Sequence, residues 1–292
     1  MRQLVFVHGR SQEKKDSVAL KREWIDAWKT GLAKSGLSMP ITEDQIRFPF
    51  YGDTLYDLAH GASEDNAADV VIRGAGFSSE KQEFIRAILQ EVQQKAGLSD
   101  DDVRVEAGAE VVEKGPLNWG WVQAILTTLD KHVHGASGAS VALFTNDVYQ
   151  YLKNPGIRDV IDVGVKRAFT KGVETVVVSH SLGTVVAYNI LRRDGDEAGW
   201  KIPTFITLGS PLAVKVIKKG LAPIRHPRCA GKWFNAMDKR DVVALYPLDS
   251  NSFDVDPSID NKTNVDNPTP NRHGITGYLS DPEVARRIYD AL

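Results

Sequence analysis

The chain has 292 residues, of which 25% are charged and 42% hydrophobic, and its formal net charge at pH 7 is -2. This composition is typical of a globular protein, and scattered charges with a near-neutral sum give no reason to expect nucleic acid or an anionic membrane as a partner. The single cysteine, Cys229, excludes an intrachain disulfide and a cysteine-cluster metal site. The length suits one large α/β domain, or one such domain with an insertion.

Residues 4–7 form a short apolar run that predicts a buried strand close to the first methionine. This start leaves no room for a signal peptide, and no apolar run is long enough to span a bilayer, so we expect a cytoplasmic protein. Apolar residues then recur every four positions between Leu20 and Leu32, which predicts a helix that Gly36 ends. A second strand is expected over residues 46–51.

The region from about residue 54 to residue 138 predicts helices and no convincing strand. Ser79 with Gln82 makes a capping-box pattern before one amphipathic helix, and Asn118 precedes another that runs to Leu129. Helices without an intervening strand indicate an insertion over one end of a sheet, where connecting segments often form lids. We therefore expect a single domain over residues 1–292 with a helical insertion at about 54–138.

Strands and helices alternate in the second half of the chain. The pattern predicts a helix over 148–169 that is interrupted at Pro155, a strand over 175–179 and a helix over 182–193. Further strands at 203–208 and 232–236, a surface loop at 250–270 and a final helix at 282–292 complete it. Such alternation predicts a doubly wound, mostly parallel sheet covered by helices on both faces. Ligands gather at the carboxyl ends of the strands in these sheets, where the following polar residues are expected: His8, Asp53, Ser181, Ser210, Asp238 and Asp241.

The most informative segment runs from Val176 to Ala187. A β-branched run stops at Ser179-His180-Ser181-Leu182-Gly183, and an apolar helix begins at once. Such a turn lifts the serine oxygen clear of the backbone at a helix N-terminus, where free N–H groups stabilise negative charge. It also requires small residues two positions before and after the serine. The alternative is an ordinary strand-to-helix turn whose serine caps the helix.

This segment resembles the nucleophile elbow, Gly-x-Ser-x-Gly, of the α/β-hydrolases, with Ser179 in place of the first glycine. The motif His180-Ser181-Leu182-Gly183 is common in lipases and esterases of that family. The resemblance implies the α/β-hydrolase fold, with Ser181 as the nucleophile. His8-Gly9-Arg10 resembles the oxyanion loop of the family, which implies oxyanion N–H donors on Arg10 and Leu182.

The remaining members of a catalytic triad follow in the chain order of the family. The acid is expected after the strand that ends near Ala236, where Asp241, directly before Val242-Val243, fits the family pattern better than the alternative acid Asp238. His273 precedes the final helix and is the expected base, whereas His226 precedes the acid. The alternative is that these are solvated turn aspartates and a surface histidine.

Four residues are candidates for the pocket: His8, Tyr51, Asp53 and His180. The His8 side chain is expected to bond to the backbone of its own loop. The segment that ends at Asp53 either lines an acyl pocket or forms a turn around a packed aromatic side chain.

The resemblance implies a serine esterase that cleaves a carboxylic ester, lipid esters included, through an acyl-enzyme. The same residues serve thioesterases, amidases and acyltransferases, and the fold also occurs in non-catalytic binding proteins. No cofactor or metal is expected, because Arg73-Gly74-Ala75-Gly76 lacks the third glycine of a dinucleotide fingerprint, and His132 and His134 diverge at a helix end. The expected partner is a small-molecule or lipid ester, and the oligomeric state is left open.

Overall fold

A computed structural model describes residues 2–9, 16–51, 71–74, 76–114 and 118–292. It contains a six-stranded sheet in which every pair of neighbouring strands is parallel. The order across the sheet is β2-β1-β3-β4-β5-β6. The strands are β1 (Gln3–Val7), β2 (Ile46–Arg47), β3 (Thr175–His180), β4 (Ile202–Leu208), β5 (Ala230–Ala236) and β6 (Asp260–Lys262). This confirms the predicted α/β class with a parallel sheet.

Helices flank the sheet. Those in the described residues include α1 (Ser17–Ala33), α2 (Ser79–Lys95), α3 (Asp100–Glu106), α4 (Ala109–Lys114), α5 (Trp119–His132), α6 (Gly138–Lys153), α7 (Pro155–Lys166), α8 (Leu182–Asp194), α9 (Lys215–Gly220), α10 (Ile275–Leu279) and α11 (Pro282–Ala291). None of the described helices has the length and apolarity that crossing a membrane requires.

The two faces of the sheet bury separate hydrophobic clusters. Successive side chains of a strand point to opposite faces, and Val177 accordingly belongs to the cluster that includes α5 and α8, while Val176 and Val178 belong to the cluster that includes α1 and α11. On the second face, Trp24 and Trp28 of α1 are both fully buried. Because both faces are covered, β1 and β3 contain continuous apolar runs, and the architecture is compatible with a doubly wound fold.

The register of the central strands brings their carboxyl ends to one edge. Val7 pairs with Ser179 of β3, and His180 pairs with Leu208 of β4. Leu208 in turn pairs with Ala236 at the end of β5. The turns that follow these strands therefore meet at a single rim.

Three elements differ from the sequence-based expectation. The second strand is shorter than predicted, ending at Arg47, and Pro49 lacks the N–H that would extend the ladder. The expected loop over 250–270 contains the short strand β6, since Asn261 pairs with Asn235 of β5. The helical run expected over 148–169 begins earlier, at Gly138, whereas its predicted interruption at Pro155 is confirmed, because Asn154 ends α6 and its side chain caps α7.

Between β2 and β3, the described residues form helices and no strand. Among them, α5 packs against α2, α3 and α6, and α2 also contacts α9. These helices belong to the larger of the two hydrophobic clusters. That the region is an insertion that acts as a lid stays a prediction.

Candidate active site

Ser181 occupies a strained turn between β3 and α8. Its backbone has φ 55° and ψ -130°, a combination that residues other than glycine rarely adopt and that costs about 1–3 kcal/mol. The Ser181 N–H donates to the Leu208 carbonyl at 3.2 Å. The N–H and the hydroxyl of Thr184 donate to the Ser181 carbonyl at 2.9 and 2.7 Å. The turn is thus held from both sides, and the Ser181 hydroxyl does not cap the helix.

Small residues allow this turn to lie against the end of β1. A Cβ atom added at Gly183 would overlap the backbone carbonyls of Val7 and His8, and one added at Gly9 would lie 2.7 Å from the Ser181 Cβ. Neither position has room for a side chain. Ser179 is fully buried, and its hydroxyl donates to the Ile206 carbonyl at 3.2 Å. This bond satisfies the hydroxyl that stands where the family pattern has glycine.

A continuous chain of hydrogen bonds joins Ser181, His273 and Asp241. The Ser181 Oγ lies 2.8 Å from His273 Nε2, and His273 Nδ1 lies 2.7 Å from Asp241 Oδ2. A carboxylate only accepts, so Nδ1 carries the proton and Nε2 accepts from the serine hydroxyl. The imidazole is therefore in the tautomer that can take the serine proton.

Asp241 is fully enclosed and has four donors. The N–H groups of Val243 and Ala244 donate to Oδ1 at 2.8 and 3.3 Å. Besides His273, the Tyr278 hydroxyl donates to Oδ2 at 2.7 Å. Burial by itself would raise the pKa of Asp241, but the adjacent His273 and these hydrogen bonds bring that pKa below its ordinary value. The donors thus favour the ionised carboxylate that an imidazole partner requires.

Asp238 occupies a different place in the same loop. Its carboxylate accepts from the N–H of Arg240 at 2.8 Å and from the N–H of Asn267 at 2.9 Å. It makes no hydrogen bond to His273 among the described contacts. The Asp238 N–H donates to the Tyr278 hydroxyl at 3.2 Å. Asp238 is buried and ties the loop after β5 to the segment that precedes His273.

Local backbone geometry sets the position of His273. The preceding residue, Arg272, has φ 56°, and the His273 N–H donates to the Asn271 side chain at 3.1 Å. The His273 carbonyl accepts from Nε2 of His180 at 2.7 Å. Burial, followed by the nearby His273, lowers the pKa of His180 to about 3. His180 is therefore a neutral donor that fixes the loop carrying His273.

His8 and Tyr51 do not line the described cavity beside Ser181. His8 is fully buried, its Nδ1–H donates to the Gly9 carbonyl at 2.7 Å, and its Nε2 accepts from the Tyr51 N–H at 3.1 Å. The Tyr51 hydroxyl donates to the His8 carbonyl. Burial lowers the pKa of His8 to about 4, so its ring is neutral. These bonds brace the loop after β1.

Of the two expected oxyanion donors, the structure describes Leu182 and does not describe Arg10. Leu182 is the first residue of α8, and its N–H makes no hydrogen bond to another described residue. Arg10 lies outside the described residues, as does Asp53 of the candidate pocket. The free N–H at the start of α8 could stabilise an anion beside the Ser181 oxygen.

A cavity of about 240 Å³ opens beside Ser181, His180 and His273. Much of its wall is apolar, formed by Ala136, Val141, Phe144, Val242, Val243 and Ile275. Polar groups also line it, namely Glu23, Ser137, Ser140, Asn271, Gly274 and Thr276. It is a mixed cleft with an apolar side that could hold a hydrocarbon chain.

Sequence reasoning missed several contributors to this site. Tyr278 bonds to Asp241, and a Cβ added at Gly209 would lie 3.2 Å from both Asp241 Oδ2 and His273 Cε1. Val141 and Phe144 reach the cavity from α6, which begins ten residues earlier than predicted, at Gly138. The Ser137 side chain accepts from the Ser140 N–H, and this capping serine was the available sequence signal for the earlier start. Nothing comparable in the sequence pointed to Tyr278.

The described ranges contain no group of three or more histidine, cysteine, aspartate or glutamate side chains that could hold a metal ion. Comparison of the chain with protein-family models, with curated proteins and with solved structures returns no match.

Proposed function

We propose that the chain is a serine hydrolase of the α/β-hydrolase fold that cleaves carboxylic esters through an acyl-enzyme. The observation that carries the proposal is the hydrogen-bonded chain from Ser181 through His273 to Asp241, with distances of 2.8 and 2.7 Å. A surface serine and a lone histidine would not be expected to share this geometry with a fully buried carboxylate. The parallel sheet and the strained turn at Ser181 also support the family fold.

In the first half of the reaction, His273 Nε2 takes the hydroxyl proton as Ser181 Oγ bonds to the ester carbonyl carbon. The carbonyl π electrons move to oxygen and form a tetrahedral oxyanion. The protonated His273 then gives its Nε2 proton to the alcohol oxygen as the carbon–oxygen bond breaks. The alcohol leaves, and the acyl group stays on Ser181 as an ester.

In the second half, His273 takes a proton from water as the water oxygen bonds to the acyl carbon. Collapse of the second oxyanion breaks the bond to Ser181 Oγ, which regains its proton from His273. Asp241 remains ionised throughout, holding Nδ1–H and stabilising the imidazolium. Tyr278 and the N–H groups of Val243 and Ala244 keep that carboxylate in place.

The oxyanion needs donors aimed at its oxygen. The N–H of Leu182 supplies one, and the family resemblance assigns the second to Arg10. Loss of one such donor typically costs about 3 kcal/mol of transition-state stabilisation. The close approach of Gly9 to Ser181 is what brings the loop after β1 next to the nucleophile.

The leaving group is the least constrained part of the proposal. Thioesters, amides and transfer to an acceptor other than water use the same three residues. We choose a carboxylic ester, lipid esters included, because its cleavage needs no residue beyond the triad and the oxyanion donors. Its acyl chain also suits the apolar side of the cavity.

A fluorophosphonate probe tests the proposal directly, because it labels only an activated serine. Wild-type protein should be labelled, and Ser181→Ala should not. Ser210→Ala is the matched control, since this buried serine at the same rim bonds to Thr184 at 2.8 Å and takes no part in the triad. Absence of labelling in folded wild type, or equal labelling of Ser181→Ala, would refute the enzyme and favour a non-catalytic binding protein.

A further inference from the structure

A second cavity, of about 400 Å³, adjoins the candidate active site. Val242 lines both cavities, and Asp241 forms part of the wall of the second. The basic residues that line the second cavity include Lys95, Lys239, Arg240 and Arg272. Four permanent cations thus surround a space next to the triad, and we call it the basic cavity.

The four cations are not equally available to a ligand. Arg240 lies 2.5 Å and Arg272 lies 3.0 Å from Asp266, and these two guanidinium groups hold the loop. Lys95 and Lys239 are exposed and form no ion pair with another described residue. Asp241 forms no ion pair with either lysine, because its buried carboxylate is bonded to His273 and to the Tyr278 hydroxyl. The basic cavity therefore presents two ammonium groups that no described carboxylate pairs, and that of Lys95 lies 5.7 Å from the centre of the Tyr246 ring.

The position of this charge relates it to the reaction. Arg272 directly precedes His273, and Lys239 is two residues before Asp241. In the proposed reaction, His273 gives a proton to the alcohol oxygen, so the alcohol part of the ester must lie beside His273. The apolar side of the neighbouring cavity takes the acyl chain. An alcohol part that extends past Val242, which lines both cavities, would reach the basic cavity.

On the basis of the proposed function, we infer that the basic cavity binds a phosphate group carried by the alcohol part of the ester substrate. A phosphate carries up to two charges and accepts from several donors, and lysine binds it as a point charge. The substrate class is thus an acyl ester of a phosphorylated alcohol. Lys95 and Lys239 are specificity residues, whereas the chemistry stays with Ser181, His273 and Asp241.

Two octanoyl esters of glycerol test the inference, one neutral and one bearing a phosphate on the glycerol. Wild type should hydrolyse the phosphorylated ester with a kcat/KM about tenfold higher, because two exposed charge pairs contribute up to about fivefold each. The preference should shrink as salt is added, since exposed charges are screened. Inorganic phosphate should compete with the phosphorylated ester and not with the neutral one.

The double variant Lys95→Gln/Lys239→Gln should lose about tenfold in kcat/KM on the phosphorylated ester, through KM. It should keep the wild-type rate on the neutral ester. Lys171→Gln/Lys219→Gln is the matched control, since it removes the same charge from two exposed lysines that line neither cavity. This control should keep both rates.

Failure of the inference is distinguishable from failure of the proposed function. If the probe labels Ser181 and both esters are cleaved equally, the phosphate inference is wrong and the hydrolase stands. Equal loss on both esters in the Lys95/Lys239 variant would also overturn it. If Ser181 is not labelled and neither ester is cleaved, both proposals fall.

Discussion

Replacement of Asp241 by asparagine should reverse the tautomer of His273. Oδ1 of Asp241 accepts two backbone N–H groups, at 2.8 and 3.3 Å. In Asp241→Asn, only the amide oxygen can occupy that position, so the amide NH2 replaces Oδ2. This NH2 would face His273 Nδ1, which lies 2.7 Å from Oδ2. A donor there requires Nδ1 to accept, which leaves the proton on Nε2.

His273 in that tautomer cannot take the Ser181 proton. An equivalent change in a Ser-His-Asp triad lowers kcat about 10⁴-fold, which corresponds to about 5 kcal/mol of transition-state stabilisation. KM should change little, because Asp241 does not line the cavity that holds the acyl chain. Steady-state hydrolysis of a neutral octanoyl ester measures both constants, and nitrogen NMR of His273 reports the tautomer.

Asp238→Asn is the matched control for this experiment. Asp238 is as buried as Asp241 and lies in the same loop, but it bonds to backbone N–H groups and to Arg240 and not to His273. Asp238→Asn should therefore reduce stability while lowering kcat by less than about tenfold. A larger loss of kcat in Asp238→Asn than in Asp241→Asn would refute the assignment of the acid.

Three further changes have defined outcomes. Tyr278→Phe removes one donor from Asp241 and leaves the buried Asp238 N–H unpaired, so we expect about 1–3 kcal/mol lower unfolding free energy by urea titration and a lower kcat; unchanged values of both would contradict the role of the hydroxyl. Gly183→Ala forces a methyl group into two backbone carbonyls at the end of β1, which should lower the unfolding free energy by about 1–3 kcal/mol and abolish probe labelling. Normal labelling of this variant would contradict the prediction. Burial lowers the pKa of His8 to about 4 and of His180 to about 3, so the unfolded chain binds protons that the folded chain does not as pH falls below about 6.5. The unfolding free energy should then drop by roughly 1.4 kcal/mol per histidine per pH unit between about pH 6 and pH 4, and a flat profile over that window would show that these rings are not held neutral.

The central strands could be predicted from sequence because burial on both faces gives uninterrupted apolar runs. The run at Val176–Val178 and the turn at Ser181 identify β3 and α8 without ambiguity, since small residues flank the serine at both required positions. The carboxyl ends of neighbouring parallel strands meet at one edge of the sheet, so the polar residues that follow the strands could be expected together. Strand β6 could not be predicted in this way, because its three polar residues have no apolar pattern. They pair through their backbone and are only partly buried.

The supporting contacts of the site are harder to predict because they depend on tertiary distances. Tyr278 and Gly209 lie far apart in the chain, and each reaches Asp241 only after β4, β5 and α10 are placed. The same holds for Val141, which α6 brings to the cavity. A single sequence contains local pattern and composition, and neither encodes such long-range contacts.

The strained backbone of Ser181 sets the stability of the fold against the presence of a hydroxyl at this position. Its φ of 55° and ψ of -130° lie in a region that glycine adopts without strain and that costs free energy for residues with a Cβ atom. Ser181→Gly should thus unfold at higher denaturant concentration than Ser181→Ala. Glycine at this position would therefore favour folding more than serine does, but it would remove the hydroxyl on which the proposed reaction depends.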